Sequence, residues 1–159
     1  MKEHTAPLPA AALPQALDLC RRVFLEFEAP DYGLEGTDAF LRFLDPAQME
    51  RMAASGLLAF FGHWSAGVLT GTGAVRDRCH ISLLFVEGRF HRRGIGSALL
   101  EAMTDFCRRG GTREITVNAS PFAAGFYQNR GFRPLDGEQR ADGIRSIPMA
   151  RVLKRGNPV

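Results

Sequence analysis

The chain has 159 residues, 45% of them hydrophobic, which suits one domain with a substantial core rather than two. Its 20 Lys plus Arg against 17 Asp plus Glu leave a formal charge of +3, far below the basic excess of a dedicated nucleic-acid binder. No apolar run approaches the ~20 residues that span a bilayer, and Cys20, Cys79 and Cys107 have neither disulfide-framework nor metal-ligand spacing, so membrane insertion and structural metal are excluded and a reduced, cytoplasmic setting is expected.

The N-terminal stretch MKEHTAPLPAAALPQAL is interrupted by acid and proline and does not read as a signal peptide. From Ala16 to Glu28, apolar Leu17, Cys20, Phe24 and Phe27 recur at helical spacing and predict a first helix. Ala29 to Gly36 (APDYGLEG) has the chemistry of a loop, and Thr37 and Asp45-Pro46 offer two successive helix starts, so a second helix broken in its middle is expected. Gly56 closes it. Leu57 to His63 and Gly67 to Val75 then form a hairpin through Trp64-Ser65-Ala66, and Arg76-Asp77-Arg78 turns the chain into an apolar strand from Cys79 to Val86.

Ile95, Leu99, Ala102 and Phe106 recur at helical spacing behind the segment EGRFHRRGIGS, so strand, glycine-containing loop and helix follow one another here. Gly110-Gly111 ends that helix. Arg113 to Ala119 reads as a strand, Pro121 to Arg130 as a short helix, and Ile144 to Leu153 as the final strand.

The sequence HRRGIGS between a strand and a helix is suited to a polyphosphate, because free backbone N–H groups and the positive helix end converge there and glycine lets the ligand approach. A P-loop fails for want of a Lys after Gly96, and a dinucleotide fingerprint fails because Leu99 stands where a third small residue is needed. Cys79 and His80 are neighbours on a strand and point to opposite faces, which excludes a nucleophilic dyad. Cys20 and Cys107 fit the apolar faces of their helices.

HRRGIG resembles the pyrophosphate-binding signature of the GCN-five-related N-acetyltransferase (GNAT) superfamily, and NASPFAAGFYQNRGF, Asn118 to Phe132, is similar to its second hallmark, a strand followed by A-x-x-[FL]-Y-x-x-x-G-F. His91 stands where Gln or Arg is usual, and Ser120 where many members have Asn. The resemblance implies a single α/β (α+β) domain with a mixed sheet of six to seven strands, a V-shaped splay between the fourth and fifth, and about four flanking helices. It implies an acetyl-CoA-dependent N-acetyltransferase that needs no metal and acts on a small-molecule or peptide amine, as a monomer or a homodimer. A coenzyme-A-binding module without turnover is the alternative.

By the same resemblance, Phe85, Val86, His91, Arg92, Arg93, Gly94, Ile95, Gly96, Ser97, Ser120, Phe126 and Tyr127 line the coenzyme, with the Val86 main chain at the acetyl or pantetheine carbonyl. Tyr127 is the expected acid for the departing sulfur. Phe27, Glu28, Asp31 and Tyr32 lie where members build the acceptor pocket. His80, six residues before Val86 and so expected on the same strand face, is a candidate general base, with Glu28 and Glu87 as alternatives.

Overall fold

The computed structural model describes residues 2–154. A short strand, β1 (Glu3–Pro7), leads through a 3₁₀ turn (Ala10–Ala12) into helices α1 (Leu13–Phe27), α2 (Ala29–Phe43) and α3 (Pro46–Ala54). Helix α1 buries Leu17, Cys20 and Phe24 of the expected stripe together with Leu13 and Val23, while Phe27 is half-buried at its end. The first half of helix α2 occupies the stretch, Ala29 to Gly36, expected as a loop, while its second half, from Thr37, lies where a helix was expected: the chain is already helical from Ala29, and its break falls at Gly33, whose φ of 68° and ψ of −170° an L side chain resists. The division before α3 is as expected, with Pro46 in the first turn and the Asp45 carboxylate accepting from the Gln48 N–H at 3.0 Å.

Strands β2 (Leu58–Ser65), β3 (Val68–Arg76) and β4 (His80–Val86) form an antiparallel meander. Helix α4 (Ile95–Arg109) crosses over to β5 (Glu114–Ala119), which runs parallel to β4. After α5 (Ala124–Gln128) come the short β6 (Arg133–Pro134) and β7 (Gln139–Ala141), then β8 (Ile144–Val152) antiparallel to β5. The sheet order is β1-β2-β3-β4-β5-β8-β6, with β7 paired to β8. The mixed α/β architecture expected from the sequence is present, enlarged by the very short strands β1, β6 and β7.

Two cores sandwich the sheet. On one face, Leu99, Leu100 and Met103 of α4 pack with Phe61, Val75, Ile81, Ile115 and Met149. On the other, Leu17 and Cys20 of α1 pack with Met49, Leu58, Phe60, Ala74 and Leu83. Truncating a fully buried residue such as Leu99 to Ala would cost about 2–5 kcal/mol. Among the described residues no helix is long and apolar enough to cross a membrane.

Candidate active site

Strands β4 and β5 pair only at His80–Thr116 and Ile81–Val117, after which they part. The divergence coincides with a bulge: Val75 faces Ile81 but Ala74 faces Leu83, so Ser82 is an extra residue on β4. Beyond the bulge, the Glu87 N–H donates to the Thr70 carbonyl at 2.9 Å and Phe85 pairs with Thr72 in the same phase. The intervening Leu84 and Val86 therefore turn their N–H groups away from β3 and into the gap beside β5.

The bulge also corrects the expected position of His80. One inserted residue between His80 and Val86 puts their side chains on opposite faces. Val86 packs with the α4 core, whereas His80 remains at the paired end of the two strands, its Nδ1 2.8 Å from Thr116 Oγ1. Burial, and then Arg76, lower its pKa. His80 does not border the cavity that the diverging strands open.

That cavity, of about 370 Å³, is bordered by Glu28 and Tyr32 from the α1–α2 junction, by Phe85 of β4, and by Ser120 and Tyr127 from the β5–α5 side. Burial raises the Glu28 pKa, and the Ser120 hydroxyl works against the shift. Ser120 Oγ also accepts from the Ala123 N–H at 3.1 Å, which holds it at the start of the turn into α5. Tyr127 is 4% exposed, its ring set edge-on to Phe126 and Phe132, and its pKa is raised by burial and then by Glu28. Tyr32, packed on Phe24 at 5.4 Å, is likewise raised by burial first. The other candidate base, Glu87, is held by Arg22, whose Nη2 lies 2.7 Å from its carboxylate.

The remaining residues expected at an acceptor lie outside this cavity. Asp31 is exposed in the first turn of α2. Phe27 spans the mouth of the gap, 4.8 Å from the His91 ring on one side and stacked 5.6 Å from Phe122 on the other. Phe85 is on the α1–α2 face, 5.7 Å from Phe40, so its side chain faces the acceptor side rather than the glycine loop.

The loop before α4 has the geometry its sequence suggests. Arg92 and Gly94 are left-handed, at φ 64° and 81°, and Gly94 enters the helix with no side-chain cap, so the first-turn N–H groups of Ile95, Gly96 and Ser97 are free for an anion. A Cβ on Gly96 would lie 3.2 Å from the Phe126 ring, which fixes how closely α4 approaches α5. His91 Nε2–H donates to the Val86 carbonyl at 2.7 Å, and Arg92 and Arg93 are exposed. The Ile95 side chain is buried in the core, leaving only its main chain to the loop. Ser97 Oγ accepts from Arg130, whose guanidinium also lies 3.8 Å over the Phe126 ring. Free N–H groups at the loop and a gap with unpaired N–H groups on β4 fit a ligand that joins a pyrophosphate to an amide-bearing arm, as coenzyme A does.

Sequence reasoning missed the far wall of the cavity, made by Gln139, Asp142 and Ser146 of the β7–β8 hairpin. Its one signal was a pair of glycines: a Cβ on Gly36 of α2 would collide with the Gly143 carbonyl oxygen, so only glycine lets that helix meet the hairpin.

A family model for the acetyltransferase (GNAT) domain matches residues 28–153. No curated protein matches the sequence closely enough to count as a relative. Among solved structures, a GCN5-related N-acetyltransferase from Rhodopseudomonas palustris is similar with a TM-score of 0.83 at 21% identity, covering 96% of this chain and 97% of that one. PaiA N-acetyltransferase from Thermoplasma acidophilum, in complex with coenzyme A, gives 0.78 at 17% identity over 96% and 100% of the two chains. A GNAT-family acetyltransferase from Staphylococcus aureus gives 0.72 at 15% over 96% and 100%. At these identities the likeness establishes the fold.

Proposed function

Since the chain belongs to the GNAT acetyltransferase family, we propose that it transfers the acetyl group of acetyl-CoA to the primary amine of a small molecule or peptide, by direct attack with donor and acceptor bound together. The coenzyme supplies the activated acetyl thioester. The first turn of α4 holds its pyrophosphate, and the Leu84 and Val86 N–H groups bind along its arm, with Val86 donating to the carbonyl oxygen as negative charge develops there.

Glu28 is the general base in this reading. It lies in the cavity beside the gap, and its raised pKa makes it a stronger base than an exposed carboxylate while leaving it able to attract an ammonium group. His80 is structural. Tyr127, which lines the same cavity, gives its hydroxyl proton to the leaving sulfur, and its raised pKa keeps that proton in place until then. Phe24, Tyr32, Phe40 and Phe85 make the acceptor side aromatic, which favours an amine carried on an apolar body.

One observation carries the proposal: the unpaired margin of β4 opens onto a cavity lined by both Glu28 and Tyr127. The test is a screen of amines with acetyl-CoA, following thiol release and the mass of the product. A primary amine that gains one acetyl group with matching thiol release supports the reading. Tight acetyl-CoA binding with no transfer across aliphatic, aromatic and peptide amines overturns it in favour of a binding module.

A further inference from the structure

Thr104 is the one residue, among those described, with a buried side-chain oxygen that has no hydrogen-bond partner. It is 3% exposed, on the stripe of α4 formed by Ser97, Glu101, Thr104 and Arg108, and it faces Arg130 and Arg151 across a cavity of about 260 Å³. This cavity shares no lining residue with the one between β4 and β5. Thr104 is about 12 Å along α4 from Gly96.

The arginines are arranged for an anion. Arg130 is fixed by Ser97, by the Phe126 carbonyl at 2.9 Å and by the Phe126 ring. Arg108 spends Nη1 on Asp105 at 2.6 Å and Nε on the Lys154 carbonyl at 3.2 Å, which leaves its Nη2. Arg151 makes no side-chain hydrogen bond among the described residues. Three guanidinium groups oppose two carboxylates, Glu101 in the lining and Asp105 on Arg108, so the cavity keeps a positive excess that an anion balances, and that anion also gives the Thr104 hydroxyl an acceptor.

We propose that Arg108, Arg130, Arg151 and the Thr104 hydroxyl form a site for a phosphate group, either free or as a phosphate monoester. The site stands independently of the acetyl-transfer reading. Its occupant has two possible sources, the ribose phosphate of a bound coenzyme or a separate phosphate, with the same recognition chemistry.

The test is calorimetric titration of the full chain with inorganic phosphate at fixed ionic strength, with chloride as reference, for the wild type, Thr104→Val and Arg151→Gln. Thr104→Val keeps the shape of the side chain and removes only an unpartnered hydroxyl, so it folds with a melting temperature at or above that of the wild type. Saturable binding to the wild type, weakened about tenfold or more in each variant, is expected. Competition between phosphate and acetyl-CoA, with weaker binding of the dephospho form, identifies the coenzyme as the source; simultaneous binding identifies a separate phosphate. Equal phosphate affinity in all three proteins, or no saturable binding in the millimolar range, overturns the proposal.

Discussion

The His91 imidazole donates its Nε2 hydrogen to the Val86 carbonyl oxygen at 2.7 Å, so the glycine loop is tied to the strand residue whose N–H faces the gap. The same ring lies 4.8 Å from Phe27. His91→Phe keeps the packing and loses the tie. The expected result is a ~5–10-fold higher KM for acetyl-CoA and a stability loss of about 1 kcal/mol, the size of one hydrogen bond. Steady-state kinetics and thermal melts measure both, and an unchanged KM would show that the loop holds its shape unaided.

The role of Glu28 is tested by pH. Its native pKa is raised above the unfolded value, so the native state keeps its proton more tightly. The stability associated with that proton is fully present below the unfolded pKa and is lost as pH rises through the native one. Glu28→Gln should therefore raise the melting temperature at neutral pH and not below about pH 4. It should also cut kcat/KM ~10²-fold or more and remove the acidic limb of its pH profile. His80→Ala should leave that limb in place with a rate within a few-fold of the wild type; loss of the limb in His80→Ala alone would make the histidine the base.

Tyr127→Phe retains the edge-on packing against Phe126 and Phe132 and removes only the hydroxyl. Turnover should fall ~10²-fold with acetyl-CoA affinity within a few-fold, because the proton is needed as the thiolate leaves. Pre-steady-state thiol release separates this from slow product release, and unchanged chemistry would assign Tyr127 to packing.

Acetyl-CoA at a hundredfold excess over its dissociation constant should stabilise the protein by ~2.7 kcal/mol, with NAD and ATP doing much less. Gly96→Glu should abolish the shift: its Cβ already crowds the Phe126 ring at 3.2 Å, and its carboxylate opposes the phosphates. Equal shifts from ATP and acetyl-CoA would indicate a generic phosphate site.

Elements announced by local chemistry were legible in the sequence. The stripes of α1 and α4, the turn between β3 and β4, and Asp45-Pro46 before α3 each carry their own cause, whereas the turn between β2 and β3 falls at Ala66-Gly67 and Trp64 and Ser65 continue β2. Strand β1 was not legible: its five residues are mostly polar, and its partners, from Phe61 to Ser65, lie some sixty positions away. The first half of α2 was hidden because Pro30, Gly33 and Gly36 have the composition of a loop, although Pro30 serves its first turn and Gly36 serves a contact with Gly143. At the site, the glycine loop was marked by its place between a strand and a helix, and the Tyr127 segment by its resemblance to the family's second motif. The bulge at Ser82 was not, since a bulge exists only relative to a partner strand, and that one residue decides which face His80 occupies.

Strand β4 lies in the interior of an eight-stranded sheet, yet from Leu84 onward one of its margins has the unpaired N–H donors of an outermost strand. Amide hydrogen exchange at Leu84 and Val86 should accordingly be fast, as at a frayed terminus, while Ile81, a few residues earlier, is protected. Such a margin is sticky as well as reactive. An occupant that takes up those N–H groups also covers a place where another extended chain could add, so ligand supply should govern the protein's tendency to self-associate as well as its chemistry.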